Sequence, residues 1–272
     1  MRLASILYLS IGLLSLCRVV QGEPIPGYQD AVSQGYPAVV RDSAERRTRA
    51  EREWRRLLSA YNLPQTPPDL YPIIYTPRSL LGISGGVPLP IAAPDGGSKE
   101  PLIREAVKAF IDRWREFLGV DPATLSLVSA TNGGGTWRFT YKQEGFPFKV
   151  AGSFGEMVVA VTADARMVQL DDRLIPVVEV PVRPSVDRDA AATRLVGRNF
   201  TYRDVAGREQ LVRINSREEI AARQLVVLPI DKTDSVEVHL AWEVIAGKPL
   251  AWVVYLDAVT GAELKVVQGF ET

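Results

Sequence analysis

Two stretches of the chain alternate apolar and polar positions in the same order. Residues 137–170 and residues 239–267 each run through an alternating strand, a Gly-x-Pro turn, a longer strand, a tight turn and a last strand. The turns are Gly145-Phe146-Pro147 and Gly247-Lys248-Pro249. Period-two alternation filled by Val, Tyr, Trp and Phe is the pattern of half-buried strands, and Gly and Pro punctuate them. A meander written twice predicts two copies of one small antiparallel unit.

Helical periodicity appears in three places. Over 42–61, Ala50, Trp54, Leu57, Leu58 and Tyr61 fall on one face. Over 98–118, Leu102, Ile103, Ala106, Val107, Phe110, Ile111, Trp114, Phe117 and Leu118 form a wide apolar stripe, with Ser98 placed to cap its start and Gly119 to end it. Residues 187–196 read as a shorter helix. Strands are expected at 125–130, 137–143, 156–163 and 167–170, then at 225–230, 237–245, 252–257 and 263–267. Residues 23–41 read as an irregular lead-in and 205–219 as a polar excursion. Residues 64–94 are rich in Pro and Gly but too apolar for a free linker, which predicts an extended segment pinned to a surface. Helix-then-meander, twice, is an α+β architecture with antiparallel sheets. It divides the chain into 1–22, 23–97, 98–180 and 185–268.

Composition adds a compartment. Arg2 followed by the apolar run Leu3 to Leu16, with Val20-Gln21-Gly22 behind it, has the layout of a secretory signal peptide cleaved after Gly22, too short for a membrane anchor. The single cysteine, Cys17, lies inside this segment. A lipoprotein site normally has Gly, Ala or Ser before the cysteine, and here Leu16 stands there, so export without lipid is expected. Cleavage would leave no cysteine and no disulfide framework. The whole chain is formally neutral, and losing Arg2 and Arg18 takes it to −2, which gives no basis for nucleic-acid binding. Seven arginines and four acids crowd residues 41–56. An ion-paired solvated helix face and a basic partner-binding patch both fit that pattern.

Candidate chemistry is sparse. His239 is the only histidine, so histidine-based zinc sets are excluded, and it reads as a sheet-surface or edge residue. Ser84 in Gly82-Ile83-Ser84-Gly85-Gly86 falls one residue short of a nucleophile elbow, and Asn132 to Gly135 lacks the Lys and Ser/Thr of a phosphate loop. Asp171-Asp172 and Glu218-Glu219 are adjacent pairs; strand neighbours point to opposite faces, so neither suits shared acid–base work, and solvated carboxylates are expected. The five tryptophans lie on element faces, as core or as an exposed platform. No catalytic, cofactor or metal residue is assigned.

Two residue strings carry a family resemblance. Phe117-Leu118-Gly119-Val120-Asp121, then 137–147, then Gly155-Glu156-Met157-Val158-Val159 closing on 163–168, resemble the fungalysin/thermolysin propeptide (FTP) domain. Leu240-Ala241-Trp242-Glu243-Val244 with 252–264, and above all the Tyr-x-Asp-Ala-x-Thr-Gly string at 255–261, resemble the PepSY domain. Together they span roughly 98–268. The resemblance implies two cystatin-like units of the kind found in pro-regions of secreted zinc metallopeptidases, which assist folding and hold the enzyme inactive. The sequence departs from that pattern at the additional residues 149–154, at Ala165 where glycine is expected, and in reaching Thr272 with no catalytic domain. The expected function is therefore that of a non-catalytic, exported, propeptide-like protein binding, inhibiting or chaperoning a secreted peptidase in trans; the alternative is an exported interaction module with an unrelated envelope partner. In such pro-regions the end leads towards the peptidase, which makes Gly269, Phe270, Glu271 and Thr272 the candidate partner-binding residues, with Phe270 as apolar anchor on a tail contributing little to the core.

Overall fold

The computed structural model describes residues 35–80, 82–91, 99–248 and 250–270. The signal-peptide residues, Cys17, Ser98, Glu271 and Thr272 lie outside them. The fold is α+β, with two five-stranded antiparallel sheets among the described residues and a small ladder of β2 (Asp69–Leu70) with β3 (Pro77–Ser79).

The first sheet runs in the order β4 (Val87–Pro88), β8 (Arg166–Asp172), β7 (Glu156–Thr162), β6 (Thr136–Gln143), β5 (Leu125–Gly133). Gly134 and Gly135 close the β5–β6 hairpin at φ 61° and 79°, the positive angles that a tight hairpin turn needs. Across one face lie α1 (Ala44–Ala60), α2 (Glu100–Arg113) and the short α3 (Arg115–Leu118). Alternation along β6 and β7 sends Phe139, Tyr141, Met157, Val159 and Val161 into this core, where they meet Ile103, Val107, Phe110, Trp114 and Phe117. The stripe expected as one helix over 98–118 is broken at Trp114, whose backbone turns to φ −108°, ψ 20°, and Gly119 ends α3 in the left-handed region. The indole of Trp114 is buried at that corner against Phe110 and Tyr61. Four arginines of α1 pair with its own glutamates: Arg47 with Glu51, Arg49 with Glu45, and both Arg52 and Arg56 with Glu53.

The second sheet is built on β12 (Ser235–Ala246). One edge pairs along its length with β11 (Ile220–Asp231); the other is shared between β13 (Trp252–Asp257), at Ala241–Ala246, and β1 (Ala38–Arg41), at Ser235–Val238. β14 (Glu263–Gln268) pairs with β13. The lead-in expected to be irregular thus ends in a strand of the second sheet. Residues 205–219, expected as a polar excursion, also carry structure. β9 (Asn199–Arg203) and β10 (Glu209–Arg213) form a hairpin whose inner residues Phe200, Tyr202 and Val212 join α4 (Arg188–Thr193) over this sheet.

A third core ties the two sheets together. Phe154, Ile73, Ile74 and Ile175 from the first half meet Val40, Val227, Val236 and Val238. The additional residues 149–154 make this contact: Ala151 N–H donates to Val227 O (2.8 Å) and Val227 N–H to Lys149 O (2.9 Å). The outer edge of β11 is thereby covered at Val227.

Candidate functional site

The densest cluster of chemistry-bearing side chains lies where β1 and β13 meet on one edge of β12. Residue 36 falls opposite Leu240, in the gap between the two strands. The Tyr36 hydroxyl fills it by accepting Leu240 N–H (3.1 Å) and donating to Asp257 Oδ2 (2.9 Å). His239 Nδ1 sits 2.8 Å from the same oxygen, and Nε2 lies 3.3 Å from Glu237 Oε2, which also pairs with Lys232 at 3.2 Å. His239 and Asp257 reach one another because Asp257 pairs with Ala241, so the histidine is its diagonal neighbour on the same face. The histidine is buried on a central strand, which corrects the edge placement expected from sequence.

Asp257 also organises the turn that follows. Its Oδ1 accepts Val259 N–H and Thr260 N–H, both at 2.8 Å, while Gly261 N–H returns to Asp257 O. Burial alone would push this carboxyl up; the hydrogen bonds from His239, the two turn amides and Tyr36 outweigh burial and hold it below the usual carboxylate range. For Glu237, the contacts with Lys232 and His239 likewise outweigh burial and lower it. The cluster's groups are turned on one another: both imidazole nitrogens face carboxylates, and the phenol is committed to Asp257. The chemistry is that of a strut joining strands distant in sequence. Nothing in the pattern around Tyr36 or Glu237 marks them, since their partners lie across the sheet.

The other candidates disperse. Ser84 is exposed in a loop. Asp171 and Asp172 do point to opposite faces, but both lie in β8 rather than a loop. Asp171 accepts from the Tyr71 hydroxyl (2.8 Å), whereas Asp172 is fully buried. Its Oδ1 accepts Leu174 N–H (3.0 Å), its Oδ2 has no partner, and burial pushes its pKa well above the ordinary value. Glu219 Oε1 accepts the N–H groups of Asn215 and Ser216, and so caps a short 3-10 turn. Trp54, Trp114, Trp242 and Trp252 are buried and Trp137 is half-buried, which is the core placement. Among the described residues no group of three or more His, Cys, Asp or Glu could hold a metal ion, and no helix is long and apolar enough to cross a membrane.

Of the candidate partner-binding residues, Gly269 and Phe270 fall within the described residues. Gly269 N–H donates to Ala251 O (2.9 Å). The Phe270 ring stands edge-on to Trp252 (5.2 Å between centroids) and to Tyr202 (5.3 Å), beside the Phe200–Trp252 stack. The anchor is folded against its own protein, and the tail contributes to the second core.

No family model matches the chain, and no curated protein does. Among solved structures, the Bacillus megaterium YpeB C-terminal domain is similar at 13% identity over 69% of this chain and 74% of that one, with a TM-score of 0.31. A superposition that loose assigns neither fold nor function.

Proposed function

We propose that this chain is an exported, non-catalytic, propeptide-like protein that binds a secreted metallopeptidase in trans, as inhibitor or folding chaperone. The observation that supports this function is the order in the sequence of the two strings, the one resembling FTP before the one resembling PepSY. The most specific string, 255–261, has a structural task for its aspartate: Asp257 caps the turn and anchors His239 and Tyr36. A turn so closely determined favours a binding scaffold over a reaction centre, because its polar groups are spent on one another. Contact through the tail would require Phe270 to leave Trp252 and Tyr202 for the partner's cleft.

The test is to refold the catalytic domain of a secreted zinc metallopeptidase, without its own pro-region, in the presence of this protein. Recovery of active enzyme or dose-dependent inhibition is expected, together with a complex on gel filtration. If the refolding yield and activity are unchanged and no complex forms with peptidases secreted by the same cells, the proposal fails. Recovery of an envelope complex instead favours the interaction-module alternative.

A further inference from the structure

A groove lies on the first sheet, away from the tail. It runs between α2 and the outermost strand β5 with a volume of about 230 Å³; its helix wall sets Ile111 among charges of both signs, Glu105 and Asp112 included, and its sheet wall includes Leu125, Leu127 and Tyr141. That is below the size that engulfs a small molecule, and leaves room for one or two side chains.

Two features of this groove point to its occupant. The first is the backbone of β5, which has no strand beyond it among the described residues. Leu125 pairs with Gln143 and Leu127 with Tyr141. Gln143 N–H points the other way, to Gly155 O (3.0 Å), so antiparallel alternation turns the backbone groups of Leu125 and Leu127 off the sheet's outer edge. Leu125 N–H is taken by Pro122 O. Leu125 C=O and Leu127 N–H are left to receive an added strand, just before the bulge at Val128 ends the regular edge. Residues opposite one another in a ladder share a face, so an added residue paired with Leu125 or Leu127 directs its side chain to the Tyr141 side, into the groove.

The second feature is Tyr141. It is only 7% exposed, it lines the groove, and its hydroxyl has no hydrogen-bond partner among the described residues; burial pushes its pKa up to about 12. The ring is buried while the hydroxyl stays open on the groove, where it can donate to water or to a ligand.

We propose that this groove captures an extended polypeptide segment as a parallel strand on Leu125–Leu127: one residue opposite Ser126 bonds both Leu125 C=O and Leu127 N–H, and its neighbour seats an aliphatic side chain against Ile111, Leu125 and Leu127, with the Tyr141 hydroxyl donating to the segment. The site is independent of the peptidase proposal, because it requires only a strand with an apolar residue at alternate positions.

The probe is an acetylated, amidated hexapeptide alternating leucine and threonine, titrated into the full, isotopically labelled protein. The control peptide carries proline in place of threonine and cannot complete a ladder. Amide shifts centred on Leu125 to Leu127 and on α2, with slowed exchange at Leu127 N–H, are expected. Tyr141→Phe should weaken binding about five-fold, the worth of one hydrogen bond, without lowering thermal stability. Three results would each overturn the proposal: shifts elsewhere or none at millimolar peptide, equal binding of the proline control, and unchanged affinity of Tyr141→Phe. Concentration-dependent shifts at the same amides without peptide would also overturn it, by assigning the edge to a second copy of this chain.

Discussion

The hydroxyl of Tyr36 lies 2.9 Å from Asp257 Oδ2, across 221 residues of chain. Burial first, and then the Asp257 carboxylate, push the phenol far above its usual range, so it remains a proton donor wherever the fold survives. One hydroxyl thereby closes the junction of β1 and β13 on β12. Tyr36→Phe keeps the ring beside His239 but leaves Leu240 N–H without an acceptor and removes a donor from Asp257. The expected loss is about 1–3 kcal/mol in urea unfolding, the cost of orphaning buried polar groups. A change below about 0.5 kcal/mol would mean that the seam is held by packing alone.

Asp172 sets a pH dependence of the opposite kind to Asp257. Its folded pKa is raised by burial, so the group is protonated in the native state over a range where the unfolded chain, with its pKa of about 3.9, has already ionised. Its contribution is fully present below the unfolded pKa and is lost as pH rises through the folded value. Asp257, held low, contributes above the unfolded pKa and loses that contribution as pH falls. Asp172→Asn cannot ionise, and its amide oxygen can still accept Leu174 N–H. The variant should gain on the wild type from acidic to neutral pH and match it most closely below about pH 4. Parallel stability profiles across that range would show that Asp172 does not titrate in the fold.

How much of this was legible in sequence depends on how local each interaction is. The strands around Phe139, Val159, Val244 and Val254 could be read because alternation and turn residues lie side by side in the chain. The β9–β10 hairpin is not legible because apolar and polar positions do not alternate cleanly: apart from the exposed Leu211 its outward positions, Asn199, Thr201, Arg203, Glu209 and Arg213, are polar, and Phe200, Tyr202 and Val212 are too few to announce two strands. β1 is four residues long and its partner strand lies almost two hundred residues away. The burial of Asp172 and His239 is likewise decided by distant segments: Thr76, whose hydroxyl donates to Asp172 O, and Tyr36, whose ring stands 5.8 Å from the imidazole. Residues 149–154 were visible as additional, but their docking on Val227 was not.

The α2–sheet contact sets the stability of the first unit. Phe110 and Trp114 are 3% and 1% exposed in a core shared with Phe139 and Met157. Truncating either to Ala should cost about 3–5 kcal/mol by chemical denaturation, the usual range for large buried aromatics. Losses below about 1 kcal/mol at both positions would place the helix off the sheet.

The last prediction separates fold from function at the tail. A tail without core contacts could be cut after Val267 at no cost in stability, but Phe270 packs edge-on against both Trp252 and Tyr202. Aromatic pairs of this kind contribute about 0.5–1.5 kcal/mol beyond the area they bury, so Phe270→Ala should lose about 1–3 kcal/mol and alter the fluorescence of Trp252. If the tail also engages a peptidase cleft, leaving the cluster carries that cost, and the two roles compete. Tyr202→Ala weakens the internal contact while keeping Phe270, and so should tighten partner binding as it lowers stability. Phe270→Ala should lower both. If Tyr202→Ala and Phe270→Ala each lower stability while leaving partner affinity unchanged, Phe270 belongs to the core alone and the partner contact lies elsewhere.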